Sequence, residues 1–130
     1  PFENSKEFGG IEGQVRHDPS ILHLKLSSRN RENTTIAIVA TDAKLTKAQA
    51  TRLATVSHDG MARAIIPAHT PVDGDLVFAA SIGGKKLENP VEDELIIGHA
   101  ASVCLARAIA RGVYFATPKL KDTKPTFKDH

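Results

Sequence analysis

The sequence predicts one mixed α/β (α+β) domain built from two strand-helix units. Two short runs of β-branched and apolar residues are each followed by a segment whose apolar residues recur at helical spacing. The chain has 130 residues, of which 41% are apolar and 25% are charged, and this is typical of a single globular domain with a core. The two units could form a parallel α/β layer or half of a larger sandwich, and periodicity does not choose between these arrangements.

The first unit begins at Thr34. Residues 34–40 (TTIAIVA) are β-branched or apolar on both alternating faces, which predicts an interior strand covered on both sides. Thr46 and Gln49 occupy the two ends of a capping-box pattern, and apolar or small residues then recur at helical spacing until Pro67. The pattern therefore predicts a helix over 46–66.

The second unit begins at residue 75. Residues 75–81 (DLVFAAS) predict another apolar strand, which the Gly83-Gly84 pair ends in a loop. Asn89 and Pro90, followed by a cluster of acidic residues, predict the N-cap and first turn of a helix that reaches about residue 116.

This second helix is rich in small residues on nearly every side, which predicts a long buried helix that packs closely on a sheet or another helix. Its longest apolar run, residues 95–110, contains His99 and Arg107 and is shorter than the about 20 residues that span a bilayer. Cys104, within this run, is expected to be a small core residue.

The chain divides into three parts. Residues 1–33 are polar and glycine-punctuated, with one alternating run at 21–26 that predicts a strand, and they end in a charged connector. Residues 34–116 carry the two strand-helix units. Residues 117–130, with several lysines and two prolines, predict a flexible tail.

Composition excludes several functional classes. The net charge of +2, without a basic run interleaved with aromatic residues, does not favour a nucleic-acid partner. The single cysteine excludes an internal disulfide framework and a Cys-rich zinc site, and it suits the cytoplasm. The six histidines form no i, i+3 or i, i+4 pair on a predicted helix, so they are interpreted as solvated or packed side chains. Neither a metal, a cofactor nor a membrane is expected as a partner.

Thr34 is the first residue to which a chemical role can be given. The sequence contains none of the Walker A, G-x-G-x-x-G, G-x-S-x-G and H-E-x-x-H signatures, so a role must be argued from individual residues. If the bond between Asn33 and Thr34 were cut, Thr34 would carry both a hydroxyl and a free amine whose pKa, about 8, lets it act as a general base. One residue would then supply nucleophile and base. The alternative is that Thr34 and Thr35 are ordinary β-branched strand residues.

Asp73 and Asp75 flank Gly74 just before the second predicted strand. Alternate residues at the start of a strand can both be directed toward one site, where they could hold an ammonium or orient a nucleophile, and the glycine lets the backbone turn. The same tripeptide is also ordinary turn chemistry.

Four motifs together resemble the C-terminal part of one known family. They are N-T-T at 33–35, T-K-A-Q at 46–49, H-D-G-x-A-R-A at 58–64 and H-T-x-x-D-G-D at 69–75. This pattern is similar to the L-aminopeptidase / D-esterase family, which also includes β-peptidyl aminopeptidases and nylon-oligomer hydrolases. The resemblance covers residues 33–116.

The resemblance implies a four-layer αββα sandwich made by a precursor that cleaves itself into a large α portion and a small β portion. The nucleophile that opens the β portion is Ser in many members and Thr in the nylon-oligomer hydrolases. Here it would be Thr34, with cleavage between Asn33 and Thr34. Asp73 and Asp75 match the positions that support processing and catalysis, with Asp at both as in the nylon-oligomer hydrolases, whereas the aminopeptidases often carry Ser and then Glu. The implied partners are the α portion and further αβ units in a homo-oligomer, with no cofactor.

Two functional hypotheses follow. The leading one is a self-processing amidohydrolase or aminopeptidase that acts on amino-acid amides, short peptides or oligomers, including those of D- or β-amino acids, through an acyl-enzyme on Thr34. The alternative is a catalytically silent or incomplete family member that serves as a structural or assembly domain, because the family's α portion is far longer than residues 1–33.

Overall fold

The computed structural model describes residues 6–9, 34–122 and 124–129. Within them the chain forms β1 (Ile36–Ala43), α1 (Lys47–Ala64), β2 (Leu76–Lys85) and α2 (Pro90–Tyr114), followed by a 3-10 turn at Phe127–Asp129. This order confirms the mixed α/β fold of two strand-helix units. Asn33 and the strand predicted at 21–26 lie outside the described residues.

The two strands pair in parallel. Ile36 lies opposite Leu76, and the register continues to Thr41 opposite Ser81. It then shifts before Ala43, which pairs with Lys85, and Gly83 in this part of β2 has a left-handed φ of 72°. The strand therefore continues through the glycines that were expected to end it.

Both helices lie against one face of the sheet. Val39 of β1 and Val77 of β2 form a buried apolar cluster with residues of the helices, namely Leu53, Met61 and Leu105. Because side chains alternate along a strand, the residues next to Val39 in β1 and next to Val77 in β2 point to the opposite face.

The opposite face of the sheet, called the open face below, is apolar and exposed. Its large side chains are 43–78% exposed, and they are Ile36, Ile38, Leu76, Phe78 and Ile82. The prediction that the first strand is covered on both sides is therefore wrong for the described residues. The apolar composition that suggested an interior strand is present, but no described element covers it.

Small residues let the two helices approach closely. A Cβ atom added at Gly60 of α1 would lie 2.1 Å from the backbone oxygen of Ser102 in α2. The Ser102 hydroxyl donates to the carbonyl oxygen of Val56 at 2.8 Å, so a hydrogen bond joins the helices at the same point. The sequence prediction of close packing by α2 is confirmed there.

The N-terminus of α1 follows its predicted capping box, and α2 begins at its predicted N-cap, Asn89, with Pro90 in the first turn. The Thr46 hydroxyl accepts from Gln49 N, and the Gln49 side chain accepts from Thr46 N. The Asn89 side chain makes no capping hydrogen bond. Instead the Asp93 carboxylate reaches back and accepts from the N–H groups of Glu88 and Asn89 at 2.8 and 3.1 Å.

Burial of α2 is one-sided. Gly98, Ser102, Leu105, Ala106 and Ala110 are buried, whereas Cys104 is exposed, so the expectation of a core cysteine was wrong. The helix has 25 residues, and by length and composition alone it is long and apolar enough to span a bilayer. The apolar run at 95–110, on which the sequence prediction was based, is shorter than the whole helix. A core helix of a soluble protein passes the same test, and one face of α2 packs on α1.

The C-terminal end of α2 binds the described N-terminal residues. The guanidinium groups of Arg107 and Arg111 hydrogen-bond to the Glu7 carboxylate and lower its pKa to about 2. The ring centroids of Phe8 and Tyr114 are 4.6 Å apart, and those of Tyr114 and Phe127 are 5.4 Å apart. Part of the predicted tail thus returns to the helix.

We predict that Gly60→Ala lowers the free energy of unfolding of the full-length gene product by about 2 kcal/mol, because the added methyl group meets backbone that cannot rotate away. Gly112→Ala is the matched control, since its Cβ would meet nothing within 4 Å. We expect that control to be neutral or to stabilise by about 0.5 kcal/mol through helix propensity. Equal denaturation midpoints for both variants would contradict the close helix contact.

Candidate functional site

The predicted site residues lie at one edge of the sheet, where both strands begin. Because β1 and β2 are parallel and Ile36 lies opposite Leu76, residues that precede the two strands become neighbours. Leu76 N donates to the Thr35 carbonyl oxygen at 2.9 Å and fixes this alignment. The structure therefore brings Thr34 to the loop that contains Asp73 and Asp75.

Thr34 is exposed and lies against the backbone of Gly74. A Cβ atom at Gly74 would be 2.9 Å from the Thr34 hydroxyl oxygen, so the absence of a side chain permits the contact. The described glycines with left-handed φ are Gly9 and Gly83. Gly74 was expected to allow a backbone turn, but the close approach of Thr34 is what requires it.

Asp75 joins the two strand starts. Its side chain is only 5% exposed. One carboxylate oxygen accepts the Thr35 N–H at 3.0 Å, and the other accepts the His69 N–H at 3.1 Å and lies 3.0 Å from His69 Nδ1. Burial alone would raise the pKa of Asp75, but these donors outweigh it and the pKa is lowered.

These contacts limit the chemistry of Asp75. A carboxylate with a lowered pKa is ionised at neutral pH and is a weak base. Both of its oxygens are already occupied by backbone or ring donors. The geometry therefore fits a carboxylate that orients the backbone beside Thr34 rather than one that carries protons.

Asp73 takes part in a local turn. Its carboxylate accepts the Thr70 N–H at 2.9 Å, and its own N–H donates to the Thr70 carbonyl oxygen at 2.9 Å. The hydroxyl oxygen of Thr70 is buried without a hydrogen-bond partner. The turn interpretation of this tripeptide therefore holds for Asp73, while Asp75 makes the contacts between the two strand starts.

His69 and His58 complete the surroundings of Asp75, and sequence reasoning gave neither histidine a role. His69 has a left-handed φ of 57°. The rings of His58, on α1, and His69 meet edge to face with centroids 4.8 Å apart. The signal in the sequence was the spacing of six residues between His69 and Asp75 within one turn-rich segment, since a loop of that length can fold back on its own carboxylate.

No metal site is evident among the described residues, which contain no group of three or more His, Cys, Asp or Glu side chains suited to an ion. Three clefts of about 490, 300 and 340 Å³ lie between α1 and α2, beside the end of β2, and between β1 and α2. None of these three clefts includes Thr34, Asp73 or Asp75. The nucleophile candidate is thus accessible but lies outside them.

Comparison with known proteins shows the family of this chain. Residues 6–124 match the sequence profile of Peptidase family S58. An uncharacterized aminopeptidase of Mycobacterium bovis is 44% identical over 107 residues, which is 75% of this chain and 30% of that protein. One from Mycobacterium tuberculosis gives the same values, and one from Mycobacterium leprae is 47% identical over 94 residues, 65% of this chain and 26% of that protein.

The chain belongs to peptidase family S58, because the family match covers most of its residues. It spans about 30% of the length of the mycobacterial relatives.

We predict that Asp75→Asn destabilises the protein at neutral pH by about 1–3 kcal/mol, because an amide nitrogen would face donors that need an acceptor. The folded-state pKa of Asp75 is below its ordinary 3.8. Its contribution to stability is therefore complete above that value and is lost as the pH falls through the lowered pKa.

The difference in melting temperature between wild type and Asp75→Asn should accordingly stay constant from neutral pH down to the ordinary pKa of 3.8 and narrow as the pH falls further. Asp59→Asn, at an exposed position on α1, is the control and should track the wild type throughout. A difference that stays constant with pH would contradict the assigned contacts.

Proposed function

We propose that this chain carries the nucleophile of a self-processing amidohydrolase or aminopeptidase, and that Thr34 becomes that nucleophile after cleavage of the Asn33–Thr34 bond. The observation that carries the proposal is the position of Thr34. Its exposed hydroxyl lies against Gly74, and the next amide is held by the buried Asp75 carboxylate. Membership of a peptidase family and the names of the aminopeptidase relatives support the same reading.

The first step is an acyl shift within the precursor. The Thr34 hydroxyl oxygen attacks the Asn33 carbonyl carbon, the amide C–N bond breaks, and the nitrogen takes the proton to become the Thr34 amine. Water then hydrolyses the resulting ester, which gives a carboxylate on Asn33 and restores the hydroxyl. The products are a new chain end at Asn33 and a Thr34 that has both a hydroxyl and an amine.

The second step is hydrolysis of substrate. The Thr34 amine accepts the hydroxyl proton as the oxygen attacks a substrate amide, and it then donates that proton to the leaving amine. Water hydrolyses the acyl-enzyme and completes the cycle. Donors in an oxyanion hole stabilise the tetrahedral intermediate. We assign these donors to the α portion of the precursor.

Asp75 and Asp73 support this chemistry by holding the backbone near Thr34 in place. Asp75 holds the Thr35 amide, so the strand start that bears Thr34 keeps one orientation before and after cleavage. Asp73 closes the turn through Thr70 that leads the chain to Gly74 and Asp75.

We further propose that the α portion packs on the open face and forms the substrate pocket. The open face is a contiguous apolar surface on a sheet whose other face is buried by helices, and such surfaces mark interaction sites. The chain spans only 30% of the length of its relatives, which leaves ample chain for this covering layer. A second sheet there would give the αββα sandwich that the sequence motifs imply.

The proposed substrates are amides of amino acids and short peptides or oligomers, including those of D- or β-amino acids. The free amine of an N-terminal residue on the substrate is a cation at neutral pH, and the negatively charged side chains of Asp73 and Asp75 flank Gly74, which lies against Thr34. This charge favours substrates with a free amino terminus.

Intact mass spectrometry of the full-length gene product tests the proposal. We expect the wild type to yield a species that begins at Thr34, and Thr34→Ala to remain uncleaved and to lose hydrolysis of amino-acid amides entirely. Thr55→Ala is the control, because Thr55 is an exposed helix residue remote in sequence from the site. Cleavage at residue 33 in Thr34→Ala would refute the proposal, and an intact wild type would favour the assembly role instead.

A milder variant tests the geometry. Gly74→Ala should slow self-cleavage at least tenfold, because the new methyl group displaces the Thr34 hydroxyl from its position while the backbone φ remains accessible to alanine. Its melting temperature should change little, since a hydroxyl can rotate away cheaply. Gly84→Ala, whose Cβ would make an ordinary 3.5 Å contact, should cleave like the wild type. Wild-type cleavage by Gly74→Ala would place the reacting hydroxyl elsewhere.

A further inference from the structure

We propose that His69 is a positioning residue for Thr34: its imidazole Nδ1 holds the buried Asp75 carboxylate, which in turn fixes the Thr35 amide beside the nucleophile. This inference rests on the proposed function of Thr34 and adds a residue to which neither the motifs nor the family match gives a role.

The contacts form a short chain of groups. His69 Nδ1 lies 3.0 Å from one oxygen of Asp75, and the other oxygen accepts the Thr35 N–H at 3.0 Å. The Asp75 side chain is almost fully buried, so water cannot readily replace a lost partner. Removing the ring would leave this oxygen held by the His69 N–H without the ring contact, so the carboxylate, and with it the backbone at Thr34, would be held less firmly.

The backbone of His69 is arranged for this contact. Its φ of 57° lies in the left-handed region, which is uncommon for residues other than glycine, and histidine, asparagine and aspartate are enriched among the exceptions. In this conformation both the N–H and the ring of His69 address the same carboxylate oxygen. Two contacts to one oxygen fix the direction of the carboxylate more firmly than either alone.

The ring is held on a second side by α1. The His58 ring meets it edge to face at 4.8 Å, while the His69 side chain remains 36% exposed. The contacts thus place two titratable groups against His69, namely His58 from α1 and Asp75 just before β2, while the charge of Asp73 in the same loop acts on Asp75. Nδ1 donates to the carboxylate both in the neutral Nδ1–H tautomer and in the imidazolium. The positioning role therefore needs a donor at Nδ1 and does not need a change of charge.

Two substitutions distinguish the contribution of the His69 ring from that of its backbone conformation. His69→Gly removes the donor but adopts the left-handed φ without strain. His69→Asn also tolerates this φ, and its side-chain amide nitrogen can donate from nearly the place of Nδ1. We expect His69→Gly to slow self-cleavage and to lower kcat at least tenfold with KM within about twofold of wild type, and His69→Asn to recover most of this loss. His99→Asn, on the exposed face of α2, is the control.

A second measurement does not depend on activity. In the uncleaved Thr34→Ala background, hydrogen exchange followed by NMR should show the Thr35 amide, which donates to Asp75, exchanging faster in His69→Gly and regaining its protection in His69→Asn. A merely structural role would lower the melting temperature without this pattern of loss and rescue.

The outcomes distinguish this inference from the proposed function. If wild type and His69→Gly cleave at equal rates, or if the Thr35 amide is equally protected in His69→Gly and His69→Asn, the His69 role is refuted while the Thr34 nucleophile stands. If wild type itself is uncleaved and inactive, the proposed function fails and the positioning role fails with it. Loss in His69→Gly, rescue in His69→Asn and the matching pattern of Thr35 amide protection together support it.

Discussion

The bidentate engagement of the Asp75 carboxylate is the interaction on which the geometry of the site depends. A buried ionised group is costly unless its oxygens accept several hydrogen bonds, and Asp75 meets donors from Thr35 and from both the backbone and the ring of His69. Because the strands are parallel, their starting residues share one edge, and a residue just before β2 can hold the backbone just before β1. One charge therefore connects the proposed nucleophile to the loop that leads into the second strand.

The contact between the helices governs how α1 meets this loop. Gly60 and Ser102 set the closest approach of α1 and α2, which fixes the rotation of α1 about its own axis. His58 precedes Gly60 by two residues, about 200° around a helix with 3.6 residues per turn. The side of α1 opposite α2 thus presents His58 to His69. Within the segment H-D-G at 58–60, His58 meets His69 and Gly60 meets α2, which gives a physical reason for the place of these two residues in the pattern of motifs.

The sequence predicted the elements better than their surroundings. Local signals fixed α1, because the capping box at Thr46 and the break before Pro67 act within one turn of the helix. Asn89 was placed correctly as the N-cap of α2, but its side chain makes no capping hydrogen bond, and the Asp93 carboxylate accepts the N–H groups of Glu88 and Asn89. Cys104 was wrongly placed in the core, and the outer face of β1 has no cover among the described residues, because hydropathy reports what a side chain favours and not what covers it. For the site, the motifs singled out Thr34, Asp73 and Asp75, but periodicity could not supply the parallel register that brings them together, nor the ring contact of His69.

The open face and the exposed nucleophile have the same physical explanation under the proposed function. Attack on an amide creates an oxyanion, and preorganised donors stabilise it far better in a site that excludes water than at an exposed strand start. The described residues include the Thr34 hydroxyl and the Asp75 carboxylate that holds the neighbouring amide. Thr34 and the apolar side chains of the open face remain accessible to solvent. A layer that packs on the open face would bury that apolar surface and enclose Thr34 in a single event. Burial of the sheet would then be a precondition of the chemistry, so the acyl shift at residue 33 would follow assembly of the core and would not compete with it.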